Sequence, residues 1–419
     1  GIASSANGTL FSFPHGSFAS IAYNNTTYVG VGYISLNGDV FSSTTFNSNT
    51  WTNRSLLSQK PLYGVEYDGS RFVAVGDRTV ISSVDGNTWS SIATPAEVFA
   101  CMAYGGSTYV VGGYATDYSS YFLKYSADGI TWTTASTANV SFFKVRYLNG
   151  AFFALGLDNN YPASSGVIMR SADGITWTDV TPTGLEFDVY TYNDVTWDGS
   201  KYHFMGADAG YTFFTISTAT PTNTSSYANK GTINNMPGGV TVGSSYGEGA
   251  IAYSNGKFVA TAIDAATYEA YLVYSSNGTS WTTTTLTDKS TIGDIMVDNG
   301  KFRLVGTGDQ KLTVEYLSGL PVTLTSVKAY QQNTGIAVEW NTQSETDILQ
   351  YEVERSANGT NFSKINTTAS RPGASNRYNF FDQSPVNGAN YYRIKTIGIH
   401  GEVKYSTTVV VKLNSKGIS

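Results

Sequence analysis

Four tyrosines stand in long loops beside acids: Tyr118 next to Asp117, Tyr161 near Asp158, Tyr190 near Asp188 and Tyr268 next to Glu269. A phenol ring can lie on the C–H face of a sugar while a neighbouring carboxylate takes its hydroxyls. These residues are therefore the candidate ligand-binding set, and a neutral glycan is the ligand their chemistry suits. Catalysis is the weaker reading. Asp77, Asp117, Asp158, Glu186, Asp188, Asp208, Glu269 and Asp309 all fall in or beside loops, yet nothing in their spacing fixes the separation of about 5–10 Å that a pair of glycosidase carboxylates needs. His15, His203 and His400 are scattered without metal-ligand spacing. No catalytic residue, metal site or cofactor is assigned, and loop-bound calcium on clustered acids is the one metal chemistry left open.

Charged residues make up 13% of the chain and aromatics 14%, so its polarity is carried by Ser, Thr, Asn and Tyr. That balance suits a secreted β-protein that binds through neutral hydrogen bonds and ring faces. A net charge of −6 leaves no basic stripe to neutralise phosphates, which argues against a nucleic-acid partner and disfavours an anionic membrane surface. There is no apolar run of 18 residues, so membrane insertion is not expected. Cys101 is the single cysteine and lies in the apolar stretch ACMAY; it reads as a small buried hydrophobe, and stability must come from packing rather than disulfides.

The elements that would position these loops repeat. An aromatic followed by small and β-branched residues recurs as YVGVG (28–32), FVAVG (72–76), YVVGG (109–113), FFALG (152–156), YHFMG (202–206), FVATA (258–262) and FRLVG (302–306). A tight polar turn precedes each, and before the turn lies another strand: ASIAY, YGVEY, ACMAY, FKVRY, NDVTW, GAIAY and GDIMV. Hairpins recurring every 37 to 56 residues, built only of strands, point to a β-propeller or another repeat array.

A third strand follows each hairpin, then a turn and a fourth strand opening on Trp. The turns read SVDGNTW (83–89), SADGITW (126–132), SADGITW (171–177) and SSNGTSW (275–281). Asp85, Asp128, Asp173 or Asn277 can accept backbone N–H bonds, the following glycine takes a left-handed conformation, and Trp89, Trp132, Trp177 or Trp281 wedges between sheets. These turns resemble the Asp-box, or BNR repeat, of sialidase-like propellers over roughly residues 1–318. The resemblance implies that the box residues are structural. It also raises a sialidase-like site, which would need three arginines around a carboxylate. Of Arg54, Arg71, Arg78, Arg146, Arg170 and Arg303, only Arg78, and more weakly Arg54, falls where a loop could face substrate, so that clamp is not expected. The seventh repeat lacks its own box and fourth strand, whereas SANGTLF (5–11) matches SSNGTSW. The N-terminus should therefore supply the outer strand of the last blade and close a ring of seven.

Near Leu320 the repeat ends, and about 100 residues give seven short strands with turn signals between them, the pattern of a β-sandwich. Trp340 in its second strand and Tyr391-Tyr392-Arg393-Ile394 in its sixth resemble a fibronectin type III-like domain. The run LPVTLTSVKAYQQNTGIAVEWNTQSETDILQYEVERSANGTNFSKI is similar to the module that precedes the type IX secretion sorting signal in proteins of Bacteroidota. That resemblance implies export by the type IX machinery.

The sequence thus predicts an all-β chain: a seven-bladed Asp-box propeller over 1–318, closed by an N-terminal strand, and a seven-stranded sandwich over 319–419. Its expected role is non-catalytic recognition or adhesion at the cell surface or outside the cell, with a glycan or surface protein as partner. A secreted glycoside hydrolase or lyase using loop carboxylates, and a structural surface-layer or filament component, are the alternatives.

Overall fold

The repeated phrase makes a strand because each is a run of β-branched and aromatic residues that can be buried on both faces; Phe72, Val73, Ala74 and Val75 have no exposed surface at all. The computed structural model describes residues 10–13, 18–34, 37–46, 51–54, 60–136, 139–159, 165–210, 212–233, 240–241, 249–264, 270–285, 291–298, 300–307, 311–317, 323–345, 348–371, 373–398 and 403–413. The chain divides into two compact units, Gly1–Leu317 and Ser318–Ser419.

In the first unit each hairpin grows into an antiparallel four-stranded module. The second module, for instance, runs Leu62–Tyr67, Phe72–Gly76, Thr79–Ser83 and Ser90–Ala93 in that order across the sheet. The first, third and fourth modules repeat the plan. The fifth and sixth are joined through a parallel pairing of their outer strands, Ala228–Ile233 and Ser280–Thr285, into one larger sheet. In the last module, Thr291–Asp298, Lys301–Thr307 and Lys311–Leu317 are completed by Leu10–Phe13, with Leu10 opposite Val314 and Phe13 opposite Lys311.

The core lies between modules rather than inside them. Ala22, Val29 and Val31 of the first pack with Val65, Phe72 and Trp89 of the second; Val73 and Val75 of the second pack with Phe99, Tyr109 and Trp132 of the third. The same alternation continues along the chain, and Phe18, Tyr28 and Phe41 of the first share a cluster with Val305 of the last. Tyr227 takes the place of a tryptophan between the fourth and fifth modules, with its hydroxyl donating to the Val180 carbonyl at 3.1 Å.

Polar bonds lock three of these seams by a rule visible in the sequence. Where the second strand opens on Tyr, its hydroxyl reaches the first turn of the preceding module: Tyr109 bonds Asp68, Tyr202 accepts from Asn149 Nδ2 at 3.3 Å, and Tyr28 of the first module bonds Asp298 of the last. Where it opens on Phe, no hydroxyl is available. Asp198, which would face Phe258, is instead bound by His203 Nε2 at 2.7 Å. Burial holds His203 below its ordinary value against the opposing pull of Asp198.

The second unit is built of a three-stranded sheet (Thr323–Gln332, Gly335–Glu345, Gly373–Asp382) and a five-stranded one around Ile348–Ser356 and Gly388–Gly398. Both contribute to one core: Trp340 stacks on Tyr378 at 5.3 Å and meets Tyr351, with Val338, Val353 and Ile394 around them. The strand count differs from the sequence expectation. Val403–Tyr405 forms an eighth short strand on Lys395–Ile397, because the residues ahead of the terminal strand extend along that edge before the chain turns into Val409–Leu413.

Candidate functional site

The innermost strands carry a shared irregularity. The register slips by one residue between Phe18 and Ser20, Leu62 and Gly64, Phe99 and Cys101, Phe142 and Lys144, Tyr192 and Asp194, and Ile292 and Asp294. A bulge of this kind bends the strand and re-aims its side chains. The bulged residues of five modules, Ala19, Tyr63, Ala100, Phe143 and Gly293, together line a cavity of 340 Å³ on the inner side of the sheets.

One side chain in its wall links three modules. Arg146 of the fourth module makes a bidentate pair with Asp194 of the fifth (2.9 and 2.8 Å) and reaches Asp294 of the seventh at 2.7 Å. Asp294 also accepts from Ser20 Oγ (3.3 Å) and Ile21 N (3.4 Å) of the first module, and Asp194 accepts from Ile251 N of the sixth at 3.1 Å. Burial works against the Arg146 charge, but Asp194 and then Asp294 outweigh it and hold the guanidinium firmly protonated. Burial likewise opposes ionisation of Asp194, and Arg146 with Lys144 pulls it below the usual carboxylate range. The clasp is an ion group with two buried carboxylates and a partly buried guanidinium.

Glu66 lines the same cavity and is not part of the clasp. It keeps some accessible surface into the cavity, but enclosure by protein pushes its carboxyl up to about 8, with Arg146 opposing and Asp294 reinforcing the shift. Cys101, also in the wall, is pushed up to about 12 by burial, so its thiol stays protonated and unreactive. Lys144 adds a second cation and donates to the Gly293 carbonyl at 3.2 Å.

Tyrosines continue from the cavity wall onto the loop face. Tyr33 and Tyr63, both lining residues, meet edge-on at 5.6 Å. Burial raises Tyr63, and Tyr114, Tyr33, Asp77 and Tyr118 add to the shift. Tyr114 stacks on Tyr118 at 5.0 Å and contacts Tyr121 at 6.3 Å. Tyr118 is 63% exposed and adopts a left-handed backbone (φ 58°), as does Arg78 (φ 51°) in the second module. Such conformations carry strain in residues other than glycine, and surrounding structure must hold them. Here the Tyr118 amide bonds the Ala115 carbonyl at 2.8 Å, and Arg78 forks onto Asp77 at 2.8 and 3.2 Å.

The structure thus groups one expected pair, Tyr118 and Asp117, with this tyrosine strip; Asp117 holds the loop by accepting from Ser119 N and Oγ. Asp188 and Tyr190 stand at the entrance to the innermost strand of the fifth module and Asp158 at the end of the second strand of the fourth, and none of them lines the cavity. Tyr161, Tyr268 and Glu269 lie outside the described residues. The box residues make turns: Asp85 Oδ1 accepts from Asn87 N and Thr88 N at 2.8 Å, Asp128, Asp173 and Asn277 do the same, and Trp89, Trp132, Trp177 and Trp281 enter the clusters between modules. Sequence reasoning set Arg146 aside as remote from any loop, and it missed Glu66, Lys144, Asp194 and Asp294. The signal was there: they are the charged residues at the second and fourth positions of the aligned inner strands, where the other copies carry Ser, Gly, Cys, Ala, Thr or Met.

No family model and no curated protein matches the sequence. Solved structures do resemble it. U3-55K superposes with a TM-score of 0.52 at 6% identity, covering 75% of this chain and 99% of that one. The β-propeller domain of Myceliophteria thermophila Cps50 (Swd1) superposes with a TM-score of 0.50 at 9% identity, covering 72% and 98%. At such identities the likeness speaks to fold alone, and the fold is that of a β-propeller.

Proposed function

We propose that this is a secreted or surface-attached recognition protein that binds a glycan, without catalysis, through the loop face of a seven-bladed propeller. The closed ring is supported by the cluster shared between first and last modules, by the Leu10–Phe13 strand on the last sheet, and by the Tyr28–Asp298 bond that repeats Tyr109–Asp68 across an ordinary seam. The carrying observation for binding is a set of four tyrosines, in which Tyr33 and Tyr63 line the cavity edge-on to each other and Tyr114 stacks on the exposed Tyr118 of the neighbouring loop. The C-terminal unit serves as a spacer and, from its resemblance to the module ahead of the type IX sorting signal, as the junction to export.

A neutral-oligosaccharide array tests this. Wild-type protein is expected to bind with a Kd on the order of micromolar to millimolar, and Tyr118→Ala to weaken binding by about tenfold through loss of ring stacking. Unchanged binding by Tyr118→Ala would overturn the assignment to this strip, and silence across the array would turn the reading toward a protein partner.

A glycoside hydrolase is the second reading, because Glu66, with its raised carboxyl, and Asp294 line one cavity. Asp294 is already bound by Arg146, Ser20 and Ile21, which leaves it poorly placed to attack or to activate water. Reducing-sugar release from any bound oligosaccharide, lost in Glu66→Gln, would establish the hydrolase instead.

A further inference from the structure

We infer that the cavity enclosed by the innermost strands takes a single terminal ring of a neutral oligosaccharide end-on, with Glu66 donating a hydrogen bond to one of its hydroxyls. The inference rests on the glycan reading above and names the part of the glycan that the site selects.

Size and shape set the first limit. At 340 Å³ the cavity lies at the low end of small-molecule sites, about 300–1,000 Å³, and has room for one ring rather than a chain. Arg146 crosses from the fourth module to the fifth and seventh, so an oligosaccharide cannot thread onward past it. Only a chain end fits, with the following units left to lie over Tyr63, Tyr114 and Tyr118.

Charge sets the second. The other titratable groups of the cavity wall are Tyr63 on the Glu66 strand, Tyr33 of the first module, Cys101 of the third, Lys144 and Arg146 of the fourth and Asp294 of the seventh, of which Arg146 and Asp294 act on Glu66. The two cations are matched by Asp194 and Asp294, and Arg146 is spent on both. Lys144 is held on the Gly293 carbonyl and is balanced in number by the two aspartates, so the wall offers a ligand carboxylate no net positive charge. A ligand ammonium meets no free carboxylate either while Glu66 is protonated. What remains is a set of neutral hydrogen-bonding groups, the Tyr33 and Tyr63 hydroxyls and the Glu66 acid, set among apolar Met102, Phe143 and Val145. Alternating hydroxyl and C–H surface is the complement of that wall.

Protonation of Glu66 gives the test its signature. Its carboxyl is pushed up to about 8, so it donates at pH 6–7 and becomes an anion beside Asp294 above pH 8. Binding that uses the donor must weaken as pH rises through that value, by up to about tenfold per pH unit.

The experiment is titration of the full chain with the methyl glycosides of glucose, galactose, mannose, xylose and N-acetylglucosamine, followed by ligand-observed NMR at pH 6, 7, 8 and 9. At least one should bind, with affinity about tenfold lower at pH 9 than at pH 7 in the wild type. Glu66→Gln, which keeps an N–H donor, should bind with a flat pH profile. Absence of binding by every glycoside overturns the inference, as does a wild-type profile with no fall between pH 7 and 9, a readout that needs no variant to fold. The two readings separate cleanly. Oligosaccharides that bind in a Tyr118-dependent way without competition from any methyl glycoside leave the outer strip standing and remove the cavity. Methyl glycosides that bind while the array is silent do the reverse.

Discussion

Asp85 accepts two backbone N–H bonds and one from Ser83 Oγ, while the Gly86 amide donates back to Ser83 Oγ at 2.9 Å. Gly86 is at φ 74°, and a Cβ there would approach Val29 of the preceding module to 2.9 Å, so the position requires glycine for both backbone and packing. The same bonds recur at Ser356, Asn358 and Gly359 in the second unit, which has a different fold. The turn is therefore written locally, by Ser-x-Asp/Asn-Gly, and each fold uses it as a rigid corner. Bonds from the Thr88 and Asn87 amides hold Asp85 below the usual carboxylate range, and Asp128 and Asp173 are held there in the same way. A depressed folded value means that the stabilisation is full above the unfolded value, near pH 4, and is lost as pH falls below it. Asn277 and Asn358 make the turn without a charge. The triple variant Asp85→Asn, Asp128→Asn, Asp173→Asn should thus unfold at nearly the wild-type urea midpoint at pH 7 and lose less of it at pH 3. Equal losses at pH 3 would show that these carboxylates carry none of the acid sensitivity.

At the scale of elements, the seam bonds grade in strength with their acceptor and donor. Tyr109 meets a carboxylate that Ser70 and the Arg71 amide also hold, whereas Tyr202 meets only a neutral amide at 3.3 Å. Hydrogen bonds to charged groups contribute about 1.5–3 kcal/mol and neutral ones about 0.5–1.5. Tyr109→Phe should therefore destabilise the chain by about 2 kcal/mol and Tyr202→Phe by under about 1, read as shifts in urea midpoint at constant slope; the reverse order would break the rule. These strands and turns were legible in the sequence because their causes are local: the aromatic that opens the second strand, the apolar run after it and the Asp-Gly corner all sit within one repeat. Arg146 was not legible as part of a site. Its partners Asp194 and Asp294 lie 48 and 148 residues away, and only the bulges that turn successive inner strands toward a common cavity bring them together. Tyr118 and Asp117 were singled out from loop composition, whereas Glu66 needed the alignment of inner strands as a set. The joined fifth and sixth modules depend on an outer-strand pairing, Thr232 with Ser280, that no repeat signal announces.

For the molecule as a whole, a rigid frame is what allows a cavity wall to be drawn from five modules at once: displacing any one of Ala19, Tyr63, Ala100, Phe143 or Gly293 changes the shape of the site. In the proposed ring that rigidity depends on the last seam, where the clasp, the Tyr28–Asp298 bond and the Leu10–Phe13 strand act together. The strand is the separable part. Its removal leaves Lys311–Leu317 as an open edge with unpaired backbone groups, at a cost of about 1 kcal/mol for each bond lost to water. A chain lacking residues 1–13 should melt several degrees lower, on the order of 5–10 °C for a loss of a few kcal/mol, and should self-associate with rising concentration through the exposed edge. Differential scanning calorimetry with light scattering reads both. If the truncated chain melts with the wild type and stays monomeric, the ring is held by side-chain packing at the seam alone, and strand closure by the N-terminus is wrong. If it melts lower while methyl glycoside binding at 20 °C is unchanged, the clasp around Arg146 suffices to keep the cavity in shape and the strand serves only to guard the edge.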